Sequence, residues 1–135
     1  MMNSFNKYDV VYGIFPDSDG SSKQSGYRPG IIIQNNIGNK YSPTLLAIPL
    51  TSRIKKINQP THMLVKSDRK NGLRTDSMLL AEQITAIDKE NVKKIGHISD
   101  RNVQRNIFKC FIHSAAYGND DDDLKELMLG EYSYG

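Results

Sequence analysis

Arg28 lies in Gly26-Tyr27-Arg28-Pro29-Gly30-Ile31-Ile32-Ile33-Gln34-Asn35, at the mouth of a short apolar run. A guanidinium offers a planar fork of donors that matches the oxygens of a phosphate. The other polar groups on offer are the hydroxyl pair Thr51-Ser52, the loop donors Ser22, Lys23 and Gln24, and the basic segment Arg53, Lys55 and Lys56. If Arg28 and Thr51 converge, they make a pocket for one pair of phosphate oxygens. A phosphodiester attacked by an adjacent hydroxyl needs no metal. It must be held in line, and the added negative charge of the pentacoordinate state must be stabilised. Those two side chains suit both tasks. The spacing leaves a second reading open, in which Arg28 is a solvated charge beside a turn.

Other chemistries lack their residues. His62, His97 and His113 fall in no C-x-x-C, H-x-x-x-H or H-E-x-x-H arrangement, so no metal site is expected. No phosphate-cradling glycine loop follows a strand, and no G-x-S-x-G elbow is present. Asp120 to Asp123 lacks the internal glycine and closing glutamate of a calcium loop. No cofactor is expected. Cys110 falls on an apolar helical stripe and reads as a buried, inert thiol.

The elements that must position Arg28 and Thr51 are short. Tyr8 to Phe15 reads as a strand, rich in β-branched and aromatic residues. Pro16 to Gly26 is a long polar loop. Gly30 to Gln34 is a second strand, whose continuous apolar run predicts burial on both faces. Pro29 lacks a donor, so the ladder is expected to begin only at Ile31. Asn36 to Pro43 carries turn chemistry. Thr44 to Pro49, Thr61 to Lys66 and Ser77 to Glu82 read as further strands, and Asp88 to Val92 as one short helical turn. A helix is expected after an N-cap at Ser99, stapled by Ile98 and Val103 and stopped at Gly118. Its stripe at helical spacing holds Val103, Ile107, Cys110, Phe111, Ser114 and Ala115, and its opposite side Arg101, Arg105 and Lys109. The fold class is α+β, mainly β: a small curled sheet or barrel with a C-terminal helix.

The chain has 135 residues, enough for one domain with its own core. One cysteine allows no internal disulfide, and no apolar run approaches membrane-spanning length. Met1 to Lys7 holds no apolar core segment, so a cytoplasmic location and no membrane partner are expected. The net charge of +3 hides a division. Residues 118–135 carry six acids and one lysine, leaving 17 basic against 9 acidic residues in 1–117. A basic body predicts an anionic partner, with nucleic acid the commonest. Residues 1–117 are expected to form the functional domain and 118–135 an acidic, flexible tail.

Several stretches then acquire a common meaning. They are Asp9-Val10-Val11-Tyr12, Gln24-Ser25-Gly26-Tyr27-Arg28-Pro29, Ile32-Ile33-Gln34-Asn35 and Asn39-Lys40-Tyr41-Ser42-Pro43-Thr44. Further on come Pro49-Leu50-Thr51-Ser52-Arg53-Ile54, Pro60-Thr61-His62, Gly72 through Asp76-Ser77, and Glu82-Gln83-Ile84-Thr85-Ala86-Ile87-Asp88. In these pieces and their order the chain resembles the MazF/PemK/Kid family of toxin endoribonucleases from toxin–antitoxin systems. The resemblance spans Tyr8 to about Ala116.

The resemblance implies an SH3-like β-barrel acting as a homodimer. It implies metal-independent cleavage of single-stranded RNA at a short recognition sequence, which inhibits translation. The products would carry a 2′,3′-cyclic phosphate (or 3′-phosphate) and a 5′-hydroxyl. A cognate MazE-like antitoxin would block the RNA site with its C-terminal segment. The family's catalytic arginine and threonine fall on Arg28 and Thr51. RNA contacts would come from Ser22, Lys23, Gln24, Ser52, Arg53, Lys55, Ser77 and Gln83. An arginine stays protonated, so charge stabilisation and proton delivery suit Arg28, and the base is left open. His62 matches a family motif too and reads as a structural hydrogen-bonding residue. Lys23 stands where many relatives carry Glu, and Ser25 replaces a Gly, so no RNA sequence preference carries over. The tail reads as a solubilising segment or as an acidic competitor for the basic groove. The alternative functions are a non-nucleolytic toxin of the same barrel family that binds a protein such as DNA gyrase, and a non-catalytic RNA-binding module.

Overall fold

The computed structural model describes residues 4–16, 26–55, 57–116 and 119–133. The strands are β1 (Asp9–Ile14), β2 (Tyr27–Ile32), β3 (Thr44–Thr51), β4 (His62–Val65), β5 (Ser77–Leu80), β6 (Thr85–Asp88) and β7 (Lys93–His97). The helices are α1 (Asn36–Tyr41), α2 (Arg101–His113) and α3 (Asn119–Ser133). All strand pairs are antiparallel, in the order β4-β5-β3-β2-β1-β7, with β6 also pairing to β3. This is the mainly β, α+β fold expected, with a helix after the last strand.

Side chains alternate between the two faces of a strand. Here each face builds its own core. One holds Val10, Ile31, Ile33, Ile48 and Leu50 against Ile107 and Cys110 of α2. The other holds Val11, Phe15, Ile32, Leu45, Ala47, Ile87 and Val92. The run Ile31-Ile32-Ile33 is thus buried on both sides, as its unbroken apolarity predicts.

The two prolines sit where the ladders spare a donor. Ile33 donates its N–H to the Leu46 carbonyl of β3 at 3.0 Å. Residues two apart present their N–H groups to the same neighbour, so the Pro29 nitrogen also faces β3. Pairing with β1 therefore runs through Pro29 to Tyr27, while pairing with β3 stops at Gly30. The strand begins earlier than Ile31 for this reason. By the same alternation the Pro49 nitrogen faces away from β2. On β3 the β6 partners end at Ala47 and the β5 partners begin at Leu50, so Pro49 falls in the gap. It lies inside β3, which runs on to Thr51.

Four other expectations change. The Asn-rich turn contains a helical turn, because the Asn35 side chain caps it by accepting from the Gly38 N–H at 2.9 Å. The short helical turn expected over Asp88 to Val92 is present at Lys89–Asn91, but Asp88 itself ends β6 and the turn leads into β7, two strands that were not expected. The N-cap of α2 is Asp100, not Ser99. Its Oδ1 accepts from the N–H groups of Asn102 and Val103 at 2.8 and 3.2 Å, which moves the cap on by one residue and removes the Ile98–Val103 staple. The helix ends at His113, ahead of Gly118.

Candidate active site

Arg28 is half-buried in β2, its backbone paired with Gly13 of β1. Thr51 is half-buried at the end of β3. The last β2–β3 pair is Gly30 with Pro49, and the same register two places on sets Arg28 opposite Thr51. Both then fall on the face that carries Ile32 and Ala47, at the end of the second core. The pairing itself stops at Gly30, so the register is compatible with the expected convergence of Arg28 and Thr51 without pairing them.

The Thr51 Oγ1 accepts from the Arg53 N–H at 3.1 Å. A hydroxyl that accepts one bond still has its own hydrogen to donate. Thr51 can therefore direct a donor at an anion while its side chain stays fixed to the backbone turn that follows. Ser52, Arg53 and Lys55 are exposed directly after it and surround the strand end with positive charge. An anion held at Thr51 meets one oriented hydroxyl and the solvated cations Arg53 and Lys55 that follow it.

The remaining predicted residues are placed differently. Ser77 opens β5 with 4% of its surface exposed, and its hydroxyl donates to the Thr75 carbonyl at 3.1 Å. It follows Asp76 and precedes Met78, the backbone partner of Thr51. Gln83 is half-buried at the end of the 3-10 turn Ala81–Gln83. Ser22, Lys23 and Gln24 lie outside the described residues. His62 places Nε2 3.0 Å from a Glu82 carboxylate oxygen, in keeping with a structural role.

One feature beside the site went unread in the sequence. Tyr12 and Tyr27 stack with ring centroids 5.6 Å apart and planes 11° apart. They are 42% and 53% exposed, on the face opposite Arg28. Their contact depends on the β1–β2 register, which pairs Tyr12 with Pro29 and Tyr27 with Ile14, so the two rings meet on the diagonal and leave no local signal. Among the described residues, no group of three or more His, Cys, Asp and Glu side chains is placed to hold a metal ion. None of the described helices is long and apolar enough to cross a membrane.

Comparisons with known proteins agree with this fold. The curated endoribonuclease MazF of Staphylococcus saprophyticus is 44% identical over 84 residues, which cover 62% of this chain and 69% of that protein. The crystal structure of MazF from Deinococcus radiodurans matches the fold with a TM-score of 0.65 at 17% identity, covering 82% of this chain and 96% of that one. A mycobacterial endoribonuclease in complex with its cognate antitoxin matches with a TM-score of 0.64 at 16% identity, covering 84% and 98%. Residues 6–107 match the model of the PemK-like, MazF-like toxins of type II toxin–antitoxin systems, and the chain belongs to that family.

Proposed function

We propose that this chain is the endoribonuclease toxin of a toxin–antitoxin pair, and that Arg28 and Thr51 form its catalytic centre. The observation that supports the reading is the β2–β3 register, which ends at Gly30 with Pro49 and, continued by two places, would bring Arg28 opposite Thr51 on one sheet face. The substrate is single-stranded RNA. Its 2′-hydroxyl attacks the adjacent phosphorus and the 5′-oxygen leaves with a proton. The ends formed are a 2′,3′-cyclic phosphate (or, once water opens the ring, a 3′-phosphate) and a 5′-hydroxyl. Arg28 neutralises the charge that builds on the non-bridging oxygens and delivers the proton to the leaving oxygen, while the 2′-hydroxyl proton goes to a base left open. Thr51 fixes the phosphate by donating its hydroxyl hydrogen. No metal takes part.

RNA on either side of the cleaved phosphate meets Ser52, Arg53, Lys55, Ser77 and Gln83, with Ser22, Lys23 and Gln24 contributed by the loop before β2. The toxin domain is residues 1–117, followed by the acidic segment 118–135. It works in the cytoplasm as a homodimer, held in check by an antitoxin whose acidic C-terminal segment covers the RNA site. A MazF relative is known in complex with a cognate antitoxin, which supports that partnership.

The test is cleavage of an end-labelled single-stranded RNA in the presence of EDTA. Cleavage by the wild type that is lost in Arg28→Ala is the expected result. Cleavage retained in Arg28→Ala would remove Arg28 from the mechanism. Tight RNA binding by the wild type with no cleavage would make the protein a binding module instead.

A further inference from the structure

Arg101, Arg105 and Lys109 recur every four residues along α2, and all three are exposed. With Lys7, Tyr8 and Phe108 they line an open cleft of about 370 Å³. Lys7 Nζ stands 4.5 Å from the Phe108 ring centroid and 5.2 Å from that of Tyr8. The lining holds four cations and no carboxylate. Among the described residues none of the four makes an ion pair. Tyr8 is held at φ 72°, a left-handed conformation unfavourable for a bulky residue.

The cleft is separate from Arg28 and Thr51. Tyr8 precedes β1, whereas Arg28 pairs with Gly13 near the other end of that strand. Five strand residues span about 17 Å. The cleft is also on the α2 side of the sheet, and Arg28 is on the other face.

We propose that this cleft is a second, non-catalytic site for single-stranded RNA, gripping the strand several nucleotides from the phosphate that is cleaved. A helix rises 1.5 Å per residue, so cations four apart stand about 6 Å apart in a row. That is close to the step between successive phosphates of an extended strand. Phe108 is 39% exposed between them and offers a ring on which a base can stack. The chain's own acidic run fits the row less well. Asp120 to Asp123 occupy consecutive positions at the start of α3. Consecutive helical residues fan out by about 100°, so the four carboxylates cannot form a line at that spacing. The inference rests on the ribonuclease reading for the identity of its ligand, but binding is measured without cleavage.

The probes are a short and a long fully 2′-O-methylated RNA, which lack the attacking hydroxyl, bound to the full-length protein over a range of salt. The triple variant Arg101→Ala, Arg105→Ala, Lys109→Ala is expected to bind the long strand at least about tenfold more weakly at low salt. Its log–log salt slope should be shallower by about 2, and its affinity for the short strand unchanged. Phe108→Ala should weaken long-strand binding about fivefold with the slope intact. Equal affinity and slope in wild type and triple variant overturn the proposal. So does a loss of the difference between them once Asp120 to Asp123 are replaced by Asn, because the cleft then serves the acidic segment. Retained cleavage in Arg28→Ala alongside the triple variant's binding defect would sink the catalytic reading and leave this one standing. Normal binding by the triple variant with lost cleavage in Arg28→Ala sinks this one alone.

Discussion

Phe15 lies across Gly30, so close that a Cβ built on the glycine would strike the tip of its ring and come within 2.9 Å of Cε2. The same Cβ would stand 3.0 Å from the Ile48 carbonyl oxygen. Phe15 is fully buried. Gly30→Ala is therefore expected to cost about 1–3 kcal/mol in chemical denaturation. Cleavage should fall as well, because Arg28 is only two residues upstream. Combining it with Phe15→Leu should recover part of the stability. A double variant no better than the sum of the two singles would show that the contact is not the cause.

Thr51 separates hydroxyl chemistry from shape. Thr51→Val keeps the volume and loses the donor, so kcat should drop about 10²-fold or more. Stability should change by less than about 1 kcal/mol, since the bond from the Arg53 N–H is solvent-exposed. Thr51→Ser should retain most activity. Equal activity of the Val and Ser variants in a single-turnover assay would dismiss the hydroxyl.

Asp9 is fully buried. Its Oδ2 accepts from the Asn6 N–H at 2.8 Å and lies 3.3 Å from Lys94 Nζ, and its Oδ1 is 2.7 Å from His97 Nδ1. One carboxylate thus ties the N-terminal segment to β7. Asp9→Ala removes the shared acceptor of Asn6, Lys94 and His97 and should cost about 1 kcal/mol, a modest figure because Lys94 and His97 are themselves part-exposed. A urea midpoint unchanged from wild type would contradict it.

Alkaline pH should destabilise the fold through two groups. Burial pushes the Cys110 thiol above its ordinary value of 9.0, with Lys109 opposing. Burial likewise pushes the Tyr8 phenol above 10.0, with Arg101 opposing. Both groups keep their proton longer in the folded state than in the unfolded one. Their contribution is complete below those ordinary values and is lost as pH rises through the raised ones. Thermal midpoints should decline above about pH 9, and less steeply in Cys110→Ala. An identical decline in the variant would acquit the thiol. For the same reason Cys110 should react slowly with alkylating agents at neutral pH.

Long, patterned segments were legible in the sequence. The stripe of α2 and the doubly buried Ile31-Ile32-Ile33 need only local periodicity, and both hold. Its cap was displaced by one place because Ser99 and Asp100 are both competent, and only geometry shows that Asp100 reaches two N–H groups. β6 and β7 were hidden because Lys93-Lys94 and Asp88 break the apolar alternation. Their strand character comes from pairing with β3 and β1. Arg28 and Thr51 were legible as residue types and from the resemblance. The register that bears on their apposition was not, because it joins strands more than a dozen residues apart.

β7 ends the sheet order, with β1 on one side. The turn at residues 68–72 rests against it. The His97 N–H donates to the Lys70 carbonyl at 2.8 Å, and a Cβ on Gly96 would run into the backbone of Lys70 and Asn71. Gly72, at φ 70°, has no Cβ to meet the Ile95 carbonyl. Backbone here lies directly on backbone. A bare sheet margin is a template on which misfolded chains add strand by strand, and this turn occupies it. The two glycines thus act against fibre growth: a side chain at either would lift the turn away and leave the margin sticky.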